Sequence, residues 1–230
     1  MIHLLHMELI LIRHGETKEG KKGILLGQLP GTLTAKGRRF ADEVGRVIAG
    51  FSYRSPLIIA SDLERSKETA RAIARITHAP LKCDRLLRER NGGIDEGKKE
   101  SQINWKEYER RPLAYRRHEG GESFADVKKR ASAFLEKIQK EKHSPIIIVS
   151  HQALISTLLS ELFGWSYPKA LKFDLKNKLV IVNTKKREWT KSHSRLRIVL
   201  VDMRVSLLGY YRVQLMSNNI TNHGTSIDRK

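Results

Sequence analysis

Glu8-Leu9-Ile10-Leu11-Ile12-Arg13-His14-Gly15-Glu16-Thr17 decides the fold. Its first five residues form a short apolar run that reads as a buried strand. Arg13-His14-Gly15 follows at the carboxyl end of that strand. Two later stretches repeat the arrangement. Leu57-Ile58-Ile59-Ala60 leads into Ser61 to Arg65, and Ile146-Ile147-Ile148-Val149 leads into Ser150-His151. A strand buried on both faces belongs to a parallel sheet flanked by helices, and such sheets collect ligands at the carboxyl ends of their strands.

The segments between these runs supply the helices. Residues 15–37 hold six glycines and Pro30 and read as loop. Thr34 caps a predicted helix to about Ala49, and Ser61 or Asp62 a second through Ile76, with Leu63, Ala70, Ile73 and Ala74 facing inward. Leu81 to Cys83 reads as a short strand, Asn91-Gly92-Gly93 as a turn, and Gln102 to Tyr115 as partly helical. Ser123 to Asp126 forms a capping box for a helix to about Lys140, and another helix runs from His151 to Phe163. Strand alternating with helix gives an α/β fold: a three-layer α/β/α sandwich around a mostly parallel sheet. Leu179 to Asn183 and Leu196 to Val201 read as further strands, Arg204 to Leu208 and Tyr210 to Leu215 as a hairpin about Gly209, and Ser217 to Lys230 as a disordered end.

Composition narrows the function. The chain has 230 residues, enough to bury a core without staples, and one cysteine, Cys83, which excludes an intrachain disulfide framework and fits a reducing compartment. Cys83 itself reads as a small core residue. No apolar run reaches the roughly 18 residues of a spanning helix; the best, Ala153 to Trp165, carries Glu161. The first eight residues lack the form of a signal peptide, and Met7 is a second plausible start. These features point to a cytoplasmic protein that does not engage a membrane. The net charge is +19, of which residues 166–230 contribute +10 and the first 165 residues +9. Such a field favours anionic partners.

Two histidines and two arginines therefore converge on one crevice: His14, His151, Arg13 and Arg65. The planar guanidinium fork matches a pair of phosphate oxygens. A neutral imidazole is a nucleophile that can carry a phosphoryl group. Further cations stabilise the charge on the transferring group.

The same residues carry a resemblance. Leu11 to Thr17 resembles the signature of the histidine phosphatase superfamily, the phosphoglycerate mutase-like group. Gly27-Gln28 and Leu33 to Gly37 resemble its loop and first helix start, Ala60 to Ala70 its second-arginine segment, and Leu87-Arg88-Glu89-Arg90 its acid-bearing loop. Gly120 to Phe124 and Val149-Ser150-His151 complete the order, so the resemblance spans about residues 8–165. It implies that His14 forms a phosphohistidine. It implies that Arg13, Arg65 and His151 hold the phosphoryl oxygens, and that Glu89 protonates the leaving oxygen and then activates water. Gly27, Gln28 and Gln152 are candidate substrate contacts. No metal or cofactor is implied, because arginine and histidine charges do that electrostatic work.

The chain departs from the pattern in places. Glu19-Gly20 stands where the family often has Trp-Asn, and Lys18, Lys21 or Lys22 are candidate substitutes for the lost phosphate contact. Gln152 follows the second histidine, where another branch carries its acid; an amide cannot donate that proton, which favours Glu89.

Rival readings are weaker. Gly15 to Lys21 fits the glycine-rich phosphate loop of nucleotide-binding proteins, but Lys22 replaces the magnesium-holding Ser or Thr and no helix follows. His3 and His6 lack the carboxylate or thiol neighbours of a metal site. The basic tail holds Trp189, Tyr210 and Tyr211, compatible with nucleic acid, but it has no recognised binding motif.

The expectations are thus a catalytic domain over 1–183 and a basic, partly β extension over 184–230. The expected activity is a metal-independent phosphomonoesterase acting on a small phosphorylated metabolite. A phosphoglycerate mutase and a weakly catalytic module binding nucleic acid through its tail are the alternatives.

Overall fold

The computed structural model describes residues 7–183, 197–202, 212–216 and 226–227, the last three stretches and Asn183 as backbone. Eight strands form one sheet: β1 (Glu8–Arg13), β2 (Leu57–Ala60), β3 (Leu81–Cys83), β4 (Ile146–Ser150), β5 (Lys178–Asn183), β6 (Arg197–Asp202), β7 (Arg212–Met216) and β8 (Ser226–Ile227). Their spatial order is β3-β2-β4-β1-β5-β6-β7-β8. β3, β2, β4 and β1 run parallel. β1 pairs antiparallel with β5, and β6, β7 and β8 continue antiparallel. The expected mostly parallel sheet is thus the first five strands of the order, four of them parallel, and the whole sheet is mixed.

Among the described residues there are seven α-helices, besides four 3-10 turns: α1 (Lys18–Lys21), α2 (Ala35–Gly50), α3 (Glu64–Thr77), α4 (Trp105–Tyr108), α5 (Phe124–Ile138), α6 (Gln152–Phe163) and α7 (Tyr167–Lys172). The period-two alternation of a strand divides β1 between two cores. Ile10 and Ile12 pack with Phe40, Val44 and Ile48 of α2 and Ile73 of α3. Leu9 and Leu11 pack on the opposite face with Val127 and Phe134 of α5 and Leu154 and Leu158 of α6. This is the three-layer α/β/α sandwich. Each such buried aliphatic side chain contributes about 1.5–3 kcal/mol of transfer free energy, which is why short apolar runs hold the sheet. No helix among the described residues is long and apolar enough to cross a membrane.

Local signals place several ends. Thr34 caps α2 through the Gly37 N–H, and Ser123 with Asp126 forms the capping box of α5. Three expectations need correction. α3 is capped by Leu63, not by Ser61 or Asp62, because the Ser61 hydroxyl is spent one turn earlier on the Leu63 N–H. Cys83 is exposed rather than core: it ends the three-residue strand at the open edge of the sheet. Ser226 and Ile227 are paired to β7 rather than unstructured. His3, His6, Arg204 to Leu208 and most of the tail lie outside the described residues.

Candidate active site

The carboxyl ends of β1 and β4 adjoin, with Arg13 in register with Ser150. The His14 N–H continues the ladder to Ser150 O (3.0 Å), which sets His14 beside His151. Their rings stand 5.1 Å apart, centre to centre, tilted by 59°. Directly after β1 the chain turns through Gly15, whose N–H donates to Thr69 Oγ1 of α3 (3.1 Å). A Cβ on Gly15 would overlap the backbone of Gly37, and one on Gly37 would overlap Glu16. The two glycines let the histidine turn lie directly on the first turn of α2.

His14 is half-buried and its tautomer is fixed by its partners. Gly15 O lies 2.8 Å from Nδ1, so Nδ1 carries the proton. Arg65 Nε–H donates to Nε2 (3.1 Å), which therefore presents a lone pair. Burial, then the Arg65 and Arg13 charges, hold the ring's pKa well below the ordinary 6.5. His151 caps α6 with its backbone, is fully buried, and leaves both ring nitrogens without a protein partner. Its pKa is also held well below 6.5, by burial and then by Arg65, His14 and Arg13. A buried polar atom without a partner costs free energy, on the order of 1–3 kcal/mol, and this one lies beside two guanidinium groups.

Arg65 is 1% exposed and pinned from several sides. Besides His14, it donates to Leu29 O through Nη1, to Pro30 O (3.3 Å), and to Gly27 O through Nη2 (2.7 Å). Desolvation lowers its pKa to about 10, against the pull of Glu89, so it stays cationic at neutral pH. The left-handed conformation of Gly27 (φ 50°) aims its carbonyl at this arginine. Arg13 is half-buried and donates from Nη1 to Gln152 Oε1 (3.3 Å).

Glu89 sits where its carboxylate accepts from its neighbour's amide, Arg90 N (2.7 Å), and from Ala153 N in the first turn of α6 (3.2 Å to Oε1). That turn follows His151, so the carboxylate lies at the same helix end. The Gln28 side chain bridges Glu89 O (3.1 Å) and the Arg88 guanidinium (3.4 Å). Gln152 spends its amide nitrogen on Ser156 Oγ and Phe173 O, both at 3.1 Å. Lys18, Lys21 and Lys22 are exposed; α1 is one turn capped by Thr17, and its Glu19 carboxylate accepts from Thr32 N (2.9 Å).

Two organising residues escaped the sequence reading. Arg130 on α5 donates to Leu86 O (2.8 Å), Arg88 O (3.0 Å) and Glu89 O (3.3 Å) while forming a two-pronged pair with Glu122 at 2.7 and 2.8 Å. Glu96 Oε1 accepts from Gln28 N (2.7 Å) and Gly92 N (2.8 Å), tying the loop around Gly27 to the acid-bearing loop. Glu122 inside the Gly-Gly-Glu-Ser stretch was the available signal for Arg130; Glu96 had none. Among the described residues, no three His, Cys, Asp or Glu side chains are grouped as a metal site.

The family model described as "Histidine phosphatase superfamily (branch 1)" matches residues 9–195. The chain belongs to the histidine phosphatase superfamily. Membership makes it an enzyme of the phosphatase type. The adenosylcobalamin/α-ribazole phosphatase of Escherichia coli is 29% identical over 164 residues, 69% of this chain and 80% of that one. The protein named "Probable phosphoglycerate mutase GpmB" of Salmonella paratyphi C is 32% identical over 164 residues, 69% of this chain and 75% of the relative. Among solved structures, the α-ribazole phosphatase of Shigella flexneri superposes with a TM-score of 0.69 at 26% identity, covering 77% of this chain and 90% of its own.

Proposed function

We propose that this histidine phosphatase is a metal-independent phosphomonoesterase that works through a phosphohistidine at His14. One observation carries the reading: a neutral His14 with its lone pair on Nε2 lies beside His151, whose two ring nitrogens are buried and unpartnered. A phosphoryl group placed between them gives His14 Nε2 an electrophile and His151 a hydrogen-bond partner. Arg13 and Arg65 face its oxygens. Arg65 Nε–H, which holds the Nε2 lone pair in the ligand-free protein, turns to a phosphoryl oxygen. His14 Nε2 attacks phosphorus as the ester P–O bond breaks, and the proton on Nδ1 stays there, donated to Gly15 O. Protonated Glu89 gives its proton to the leaving oxygen. In the second half, the Glu89 carboxylate takes a proton from water, the hydroxide attacks phosphorus, and the P–N bond breaks. Inorganic phosphate leaves, with His14 neutral and Glu89 protonated again. Gln152, Gln28 and Gly27 position Arg13, the acid loop and Arg65 through the hydrogen bonds they make.

Phosphate release from p-nitrophenyl phosphate in EDTA, by wild type and His14→Ala, tests this. Wild type is expected to turn over and His14→Ala to fall at least 10³-fold. Glu89→Gln is expected to slow alkyl phosphates far more than p-nitrophenyl phosphate, whose leaving group needs little help from an acid. Activity that persists in His14→Ala, or that EDTA abolishes, overturns the reading.

The similarity to the Salmonella protein favours a second reading, return of the phosphoryl group to a phosphoglycerate. Interconversion of 2- and 3-phosphoglycerate primed by 2,3-bisphosphoglycerate, in place of phosphate release, distinguishes it.

A further inference from the structure

Among the described residues the exposed large apolar side chains are Leu29, Phe51, Ile94, Trp105 and Tyr115. Four of the five lie on the two loops, 18–30 and 91–122, that bracket the phosphoryl site. Leu29 is fixed there directly, since Arg65 grips its carbonyl. The Leu26 side chain and the Arg65 stem both lie against Gly31, at 2.9 and 3.2 Å from where its Cβ would stand. Across the gap, Leu29 Cδ1 lies 3.5 Å from the Cβ position of Gly97, and Leu25 lies against Gly92 in the same way (3.2 Å). The turn from Gly93 to Gly97 therefore touches the aliphatic side of the first loop, and it carries Ile94, 58% exposed.

Leu26 and Leu29 thus make an aliphatic collar that starts at Arg65, Leu25 lies against Gly92, and the turn that Leu29 touches carries the exposed Ile94. Lys98 is tied to Asp95 at 2.7 Å. Lys99 lies opposite Ile24, where the loops pair backbone to backbone. Scattered apolar side chains on a surface need no explanation. A set held by backbone hydrogen bonds against a phosphoryl site has an evident occupant, the organic part of the ester bound there.

We infer that the preferred substrates are phosphomonoesters of alcohols with an apolar portion, which the collar covers while the phosphoryl group lies between His14 and His151. The inference rests on the phosphomonoesterase reading and adds the substrate class. A homologous series of n-alkylphosphonates, ethyl to hexyl, tests it by calorimetric affinity, and the matching alkyl phosphates test it by kcat/KM. Neither series changes the acidity of the reacting group appreciably along its length.

Affinity and kcat/KM are expected to rise about two- to threefold per methylene, below the roughly fourfold limit of complete burial. Ile94→Ser and Leu29→Ser are each expected to lower the hexyl-to-ethyl ratio several-fold; the ratio cancels any loss common to both esters. A flat wild-type series, a ratio unmoved in both variants, or tighter binding of 3-phosphoglycerate than of hexylphosphonate overturns the inference. Phosphonates that bind with the expected slope while no ester is hydrolysed overturn the hydrolytic reading instead.

Discussion

His14 and His151 face each other as neutral rings, and burial between two arginine charges keeps them so. The linkage has a definite sign. Unfolded, each histidine takes a proton near its ordinary 6.5; folded, each resists protonation until well below that value. The unfolded state thus binds more protons as pH falls, and the folded state loses stability from about pH 6.5 down to the folded pKa values. We expect the urea midpoint of ligand-free enzyme to fall between pH 7 and pH 5.5, and the fall to shrink in a His14→Gln, His151→Gln double variant. Ring-nitrogen NMR should show two imidazoles still neutral at pH 6. A pair that titrates at 6.5 contradicts the picture. Much of this residue-level site was legible, because Arg13, His14, Arg65 and His151 each follow a recognisable apolar strand. The work of Gln152 and Gln28 was not, since what an amide does depends on which partners the fold brings to it.

At the scale of the element, the acid-bearing loop leaves a single 3-10 turn, Arg85–Leu87, as an irregular segment at Arg88 to Asn91 and borrows order from α5. Arg130 satisfies three of its carbonyls and pairs with Glu122, which in turn accepts from Asn91 N (2.9 Å). Ser150 Oγ donates to Leu87 O (2.7 Å) and ties the loop to β4. Arg130→Met keeps much of the side-chain volume and removes every one of its hydrogen bonds. It should cost about 2–3 kcal/mol in urea unfolding, since a carboxylate and three carbonyls lose their charged donor. It should also lower kcat through misplacement of Glu89, with His14 chemistry on p-nitrophenyl phosphate less affected. A variant as stable and as active as wild type shows that the loop orders itself. Elements of this kind resist sequence reading: strands announce themselves by apolar runs and helices by caps such as Thr34 and Ser123, whereas a loop held by a distant arginine has no local signature. The start of α3 was misplaced for a related reason, two candidate caps standing side by side with the hydroxyl engaged before the helix begins.

Across the whole molecule the sheet changes character at β1. The parallel half delivers His14, Arg65 and His151, while β5 to β8 extend it antiparallel. Residues 184–230 carry a net +7 and include the strand that covers β5. Truncation after Asn183 would bare the edge of Lys178–Asn183, a strand rich in Leu, Val and Ile, and remove that charge. We expect the shortened protein to associate or precipitate at concentrations where the full chain does not, as light scattering would show. A truncated protein that stays dispersed shows that the added strands do not protect the edge. The place of β1 has a further consequence, for the time course of biosynthesis. Its two partners are β4 and β5, in registers such as Leu9 with Ile146 and with Val182. At typical translation rates the ribosome needs on the order of ten seconds to make the intervening chain. The strand that leads into His14 is made first and paired late, and through that interval the nascent chain carries an open apolar segment that invites a chaperone.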